Sequence, residues 1–179
     1  LLVRDSSNVN LENNLTSDIE IIEIKENEDF QKIFLNFKPD IVFHLASMIK
    51  GFSNIYDLKN LINSNITFGV KILESMSNTN VKYFINTGTY WEHYDNLDYC
   101  PVDLYAASKF AFQKIIELYV ETKGIHAITL KLHDIYGPKD SRKKIVSYLI
   151  EAAVSGDKLS MTPGNQKLSL VYIDDVIDA

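Results

Sequence analysis

The 179-residue chain is 46% hydrophobic and carries a formal net charge of −6, enough apolar content for one substantial core and the wrong sign for a nucleic-acid binder, whose footprint is basic. A single cysteine, Cys100, excludes an internal disulfide and gives no metal-ligand spacing. No apolar run reaches the roughly 18 residues that a membrane-spanning helix needs, so no metal, nucleic acid or membrane is expected as a partner, and the cytoplasm is the expected compartment.

In chain order, a first strand is expected near Leu1 to Arg4 and a second at Ile19 to Ile24, after an Asn-rich loop at Asn10 to Asn14. A helix over Glu28 to Phe37 is stopped by Lys38-Pro39-Asp40, and the apolar run Ile41 to Ala46 reads as a buried strand ending in small residues. A helix over Leu58 to Ser77 leads to a strand at Lys82 to Thr87, which runs into Gly88-Thr89-Tyr90-Trp91. Then come a helix over Tyr105 to Thr122, a strand at Ala127 to Leu132 ending in the turn-forming Asp134-Ile135-Tyr136-Gly137-Pro138, and a helix over Ser141 to Ser155. Ile173 to Ala179 reads as the start of another helix. The basic run Arg142-Lys143-Lys144 lacks aromatic interleaving and reads as a solvated helix face. Alternating strands and helices imply an α/β fold, a doubly wound parallel sheet covered on both faces.

Tyr105 and Lys109 stand four residues apart at the start of an apolar-periodic helix, which puts phenol and ammonium on one face. A tyrosine titrates near pH ~10, so proton transfer from it near neutrality calls for a fixed positive charge beside it. Lys109 is placed to supply one. Two apolar stripes on this helix, Ala107, Phe110, Ala111, Ile115 and Leu118 on one and Phe112, Ile116 and Tyr119 on the other, suggest burial on two sides. Hydroxyls at the end of the preceding strand lie at the edge where open parallel sheets bind ligands.

The chain resembles the extended short-chain dehydrogenase/reductase family, the NAD-dependent epimerases, dehydratases and reductases of nucleotide sugars. Its matches are Phe43-His44-Leu45-Ala46, Asn65, Thr87 before an aromatic loop, Pro101 through Lys109, Tyr136-Gly137-Pro138, and Val171-Tyr172-Ile173-Asp174-Asp175-Val176. The resemblance implies a Rossmann-like NAD(P)-binding domain over 1–179, with 156–179 leading into the substrate-binding part. That family opens with a strand and a Gly-rich turn that carries the pyrophosphate on a helix N-terminus. No such segment occurs here, so the first βα unit and the end of the substrate-binding region are expected to lie outside this sequence.

By resemblance, Thr87, Tyr105 and Lys109 are catalytic: Thr87 orients the reacting oxygen, Tyr105 transfers the proton, and Lys109 bonds the nicotinamide ribose and lowers the tyrosine pKa. Leu45, Ala46, Ser47, Asn65 and His133 are expected to contact cofactor, and Gly88, Thr89 and His93 substrate. His44 and His133 sit near strand ends, where an imidazole is more often a satisfied structural group. Arg4 follows the first strand at the cofactor-selecting position, where Arg suits a 2′-phosphate, so NADP(H) is favoured over NAD(H). Ser6, Ser7 and Asn8 offer further phosphate contacts, and Glu23 is placed to bond an adenine amine.

Departures narrow the reaction. The family's 4,6-dehydratases place an Asp-Glu pair where this chain has Gly88 and Thr89, neither of which is a carboxylic acid, so elimination of water is disfavoured. Lys131 and Asp134 replace a more usual Arg and Asn, and Leu168 replaces an Arg that relatives set on the nucleotide phosphates. The loop after Thr87 and the short spacing to Tyr105 most resemble the CDP-abequose synthase type, NADPH-dependent reductases of CDP-linked 4-keto-3,6-dideoxy sugars in O-antigen precursor synthesis. A nucleotide-sugar 4-epimerase with tightly bound NAD and a non-catalytic NAD(P) sensor stay as alternatives. A homodimer through the helices near Leu58 to Ser77 and Tyr105 to Thr122 is expected by resemblance alone.

Overall fold

The computed structural model describes residues 1–3, 19–24, 29–49, 55–140, 142, 144–165 and 167–179. Strand β1 (Leu2–Val3) runs parallel to β2 (Ile22–Glu23). Helix α1 (Phe30–Phe37) starts where the Asp29 carboxylate accepts the amides of Gln31 at 3.0 Å and Lys32 at 3.3 Å, and ends with Lys38 in the left-handed region. The second, third and fourth predicted strands are thus shorter or longer by a few residues than read from sequence, because only the hydrogen-bonded part of an apolar run counts as strand.

After β3 (Ile41–His44), helix α2 (Ile55–Ile62) passes through a π turn (Asn63–Thr67) into α3 (Phe68–Ser77). Strand β4 (Tyr83–Thr89) follows, then short 3-10 turns at Tyr90–Glu92 and Tyr94–Asn96. Helix α4 (Leu104–Lys123) is capped by Asp103, whose carboxylate accepts the Ala106 amide at 2.7 Å, and ends at Gly124 in the left-handed region. Then come β5 (His126–Leu132), β6 (Asp134–Tyr136), α5 (Ile145–Ser155), β7 (Leu170–Tyr172) and α6 (Ile173–Ile177).

All named pairs are parallel: β1 with β2, β3 with β4 and β4 with β5, β6 with β7. Among the described residues the strands form a three-stranded sheet of order β3-β4-β5 and two separate pairs, β1-β2 and β6-β7. Two strands escaped the sequence reading. Asp134–Tyr136 reads as loop because it is three residues long and bounded by Gly137-Pro138, but it pairs with Leu170–Tyr172, which returns from 156–179.

The core lies on one face of the sheet. Phe30 and Phe34 of α1, Ile72, Leu73 and Met76 of α3, Phe84 of β4, and Phe112 and Ile116 of α4 pack together. Each such side chain contributes about 1.5–3 kcal/mol by leaving water. Gly69 lets α3 approach α4, since a Cβ there would stand 2.2 Å from Phe112 Cζ. On the other face, Ile41, Phe43, Tyr83 and Ile128, which alternate with the buried positions, are exposed, Phe43 by 62% and Ile128 by 63%. On α4 likewise only one stripe is enclosed. Phe112 and Ile116 are buried, while Leu118 is 55% exposed and Phe110 packs instead on the Tyr99 ring.

Candidate active site

The C-terminal ends of β3, β4 and β5 and the first turns of α4 bring the candidate residues to one edge. Ser47, just beyond β3, lies near the Tyr105 phenol of α4. Burial pushes this phenol above its ordinary value; Ser47 opposes this, Glu92 and Asp103 add to it, and Arg142 opposes it. The net shift is upward, and Lys109 is not among its causes. Thr87 on β4 is half-buried and donates a long 3.4 Å bond to the His44 carbonyl.

Lys109 is 2% exposed, and its Nζ has no hydrogen-bond partner among the described residues. Burial lowers its pKa to about 8, with Glu92 raising it and Lys131 lowering it further. His44 is buried in an aromatic nest, its ring 5.7 Å from Phe84 and 5.1 Å from Phe112, with Nδ1 3.0 Å from Asn86 Oδ1. Burial holds it down at about 4, the Asn86 bond opposing and Lys109 assisting, so it is a neutral packing group at pH 7. The expected satisfied imidazole is satisfied at Nδ1 alone, since its buried Nε2 has no hydrogen-bond partner among the described residues.

Asn65, expected to touch cofactor, is wholly enclosed and engaged by the protein. Its Oδ1 accepts the Met48 amide at 2.7 Å, and its Nδ2 donates to the Met48 carbonyl at 3.1 Å and to Ser108 Oγ at 3.0 Å. It sits in the π turn, where one extra residue re-aims the helix. Gly88 and Thr89, expected at substrate, turn inward. A Cβ on Gly88 would lie 2.9 Å from Glu92 Oε1 and 3.0 Å from both Lys131 Cδ and Thr129 Cγ2. The Thr89 hydroxyl accepts the Trp91 amide at 3.3 Å, and the Thr89 amide donates to Glu92 Oε1 at 2.8 Å, a reciprocal capping box.

His93 is half-buried, with Nδ1 3.2 Å from the Leu97 carbonyl and its ring edge-on to Phe110. His133 is exposed and stacks on Tyr90 with ring centroids 4.5 Å apart. Leu45 is 65% exposed beside the half-buried Ala46, and Glu23 ends β2 on the surface. Arg4, Ser6, Ser7 and Asn8 lie outside the described residues. In the basic run, Arg142 pairs with Asp140 at 2.8 Å and Lys144 donates to the Ile135 carbonyl at 2.9 Å, both ahead of α5 rather than on its face.

Sequence reasoning missed Glu92. It is 0% exposed and forms an ion pair with Lys131, whose Nζ also donates to Gln113 Oε1. The signal was present: Thr89-x-x-Glu92 has the spacing of a capping box. Among the described residues, no group of three His, Cys, Asp or Glu side chains is placed to hold a metal ion, and no helix is long and apolar enough to cross a membrane.

A parallel sheet with a Tyr-x-x-x-Lys helix and a hydroxyl at the adjoining strand end defines the Rossmann-type class that works with nicotinamide cofactors. The chain belongs to the NAD dependent epimerase/dehydratase family, whose model matches residues 1–179. It is 35% identical over 176 residues to CDP-abequose synthase of Yersinia pseudotuberculosis, covering 95% of this chain and 62% of that protein. It is 32% identical over 116 residues to CDP-abequose synthase of Salmonella muenchen, covering 64% of this chain and 39% of that protein. The chain thus spans less than two thirds of these relatives. The fold is shared with UDP-N-acetylglucosamine 4-epimerase from Methanobrevibacter ruminantium M1, at TM-score 0.82 and 20% identity over 99% of this chain and 62% of that one. UDP-glucuronic acid 4-epimerase from Bacillus cereus, solved with NAD, matches at TM-score 0.77 and 22% identity over 92% of this chain and 55% of that one.

Proposed function

We propose that the protein to which this chain belongs reduces a nucleotide-linked 4-keto-deoxy sugar with NADPH, in the manner the name CDP-abequose synthase implies for the similar Yersinia and Salmonella proteins. One observation carries the reading: an enclosed lysine ammonium without a hydrogen-bond partner among the described residues shares a helix face with Tyr105 at the ligand-binding edge of the sheet. A buried unpartnered donor is costly unless a ligand satisfies it. The hydroxyls of a nicotinamide ribose fit that donor, so Lys109 would hold the cofactor, together with the loop carrying Leu45, Ala46 and Ser47. His133 would line the same side. Arg4, with Ser6 and Asn8, favours NADPH by sequence position.

Bound NADPH supplies a hydride to the C4 carbonyl carbon. Tyr105 gives its phenolic proton to the oxygen, which completes the secondary alcohol and leaves a phenolate near Ser47. Tyr105 starts as the phenol, the form a proton donor needs, and a lysine charge brought to bear on it would offset the burial that makes its proton harder to release. Thr87, held only by its long bond to the His44 carbonyl, is placed to exchange that partner for the substrate oxygen. Donors aimed at charge that appears only in the transition state accelerate the step. His93, in the bulky loop after β4, is the side chain we assign to sugar contact. Gly88 and Thr89 supply no carboxylic acid, which disfavours dehydration.

The test is incubation of the full-length protein with NADPH and CDP-, UDP- or dTDP-linked 4-keto-deoxy sugars, with products weighed by mass spectrometry. A product two hydrogens heavier, formed as NADPH disappears, is expected. If instead the corresponding 4-hydroxy nucleotide sugars are converted to isomers of unchanged mass with no NADPH added, the reductase gives way to a 4-epimerase, and binding of NADPH without product would favour a sensor.

A further inference from the structure

Lys131 and Lys109 are two cations near one buried carboxylate. Glu92 is fully enclosed, its Oε1 accepts the Thr89 amide at 2.8 Å, and its Oε2 meets Lys131 from β5. Lys131 is held in turn by Gln113, which lies one helical turn beyond Lys109 on the same side of α4. The bare Cα of Gly88 leaves the space in which this carboxylate stands. Lys109 itself has no hydrogen-bond partner among the described residues.

We propose that Glu92 is a positioning residue of the active site, its enclosed carboxylate acting as the counter-charge that holds Lys109 in its ammonium form. The groups facing Lys109 are few and identifiable. Glu92, from the turn after β4, attracts the ammonium, and Lys131, from β5, repels it. His44, from β3, is neutral near pH 7, and Tyr105, on the same helix, also feels Glu92. An ammonium taken out of water without partners readily gives up its proton, and a second cation nearby makes that easier. Glu92 opposes both effects. It meets Lys131 directly and Lys109 through the field, so one carboxylate serves a structural pair and a functional residue at once. Removing Lys131 takes away a repelling cation and leaves the Glu92 charge without its direct partner.

This inference deepens the proposed function, since a charged Lys109 is what a cofactor ribose would meet, but its test needs neither cofactor nor substrate. Lysines labelled with ¹³C at Cε are titrated by NMR in the full-length protein, with the Lys109 signal identified by its loss in Lys109→Arg. In Glu92→Gln, which keeps the acceptor for the Thr89 amide but drops the charge, the Lys109 midpoint is expected to fall by about one pH unit or more. In Lys131→Met it is expected to rise. An unmoved midpoint in either folded variant overturns the proposal. Should neither variant fold, the native protein still decides: a Lys109 already neutral at pH 7 overturns it, and one still charged there supports it. Failure here would leave the reductase reading standing, because that rests on products. Failure of the reductase assay would leave this titration unaffected.

Discussion

Asn65 and Ser108 share a 3.0 Å hydrogen bond between the π turn and α4, and Ser108 donates onward to the Tyr105 carbonyl at 2.7 Å. Because Asn65 also grips both polar groups of the Met48 backbone, a single side chain fixes the loop that presents Ser47 and the helix turn that presents Tyr105 in one frame. Asn65→Leu strips partners from buried groups, at a cost of about 1–3 kcal/mol for each one left unsatisfied. Urea unfolding is expected to show that loss, and KM for NADPH to rise with it because the Ser47 loop is no longer held. Unchanged stability would mean the clasp is dispensable.

Lys109 illustrates function held at the expense of stability. Its folded pKa of about 8 lies below the ordinary 10.5, so between those values the folded chain binds fewer protons than the unfolded one and stability rises with pH. Below pH 8 the whole penalty of the buried ammonium is present, about 3 kcal/mol from that gap. Lys109→Met keeps the stem and removes the charge, while Glu92 retains Lys131. The variant is expected to be more stable at pH 7 by about 1–3 kcal/mol and to lose NADPH binding. A variant that is less stable at pH 7 would contradict this account.

Tyr105→Phe keeps the ring and removes the proton. Loss of a positioned general acid costs ~10²–10⁴-fold in rate, so kcat is expected to fall by that factor while the melting temperature stays close to the parent. Turnover at the parent rate would remove Tyr105 from the mechanism.

The long elements and the motif helix were legible because apolar periodicity and helix breakers are local: Lys38-Pro39-Asp40 ends helix α1 in sequence as it does in space. What stayed hidden is tertiary. Strand β6 forms only because Leu170–Tyr172 returns to it, and neither segment carries a signal of its own. The inward turn of Gly88 follows from Glu92 and Lys131 meeting across 39 residues. Tyr105 and Lys109 were found from spacing, but the direction of the tyrosine's shift was not, because helical spacing gives the face and says nothing of burial or of where Glu92 sits.

Gly88→Ala probes that hidden packing. The new Cβ would press on Glu92 Oε1 at 2.9 Å and on Lys131 and Thr129 at 3.0 Å, and an enclosed carboxylate tied to the Thr89 amide cannot move aside freely. Overpacking of this kind costs about 1–3 kcal/mol, and thermal unfolding is expected to show it. A neutral effect would indicate that Glu92 has room to shift.

His44 sets an acid limit on the fold. Its ring is buried among Phe68, Phe84 and Phe112, and its pKa is held down at about 4 against an ordinary 6.5. Between those values the unfolded chain binds the proton that the folded chain refuses, so stability is full above pH 6.5 and is lost as the pH falls toward 4. The gap corresponds to about 3 kcal/mol, with no further loss from this group below pH 4. His44→Phe preserves an aromatic ring but leaves Asn86 Oδ1 without its 3.0 Å partner, so the variant is expected to be weaker at pH 7. Its stability should nevertheless fall less steeply between pH 6.5 and 4 than that of the parent, when unfolding free energies from urea titrations are compared at each pH. Parallel slopes would assign the acid limb to other groups and would mean that the His44 ring can take up its proton without leaving the core.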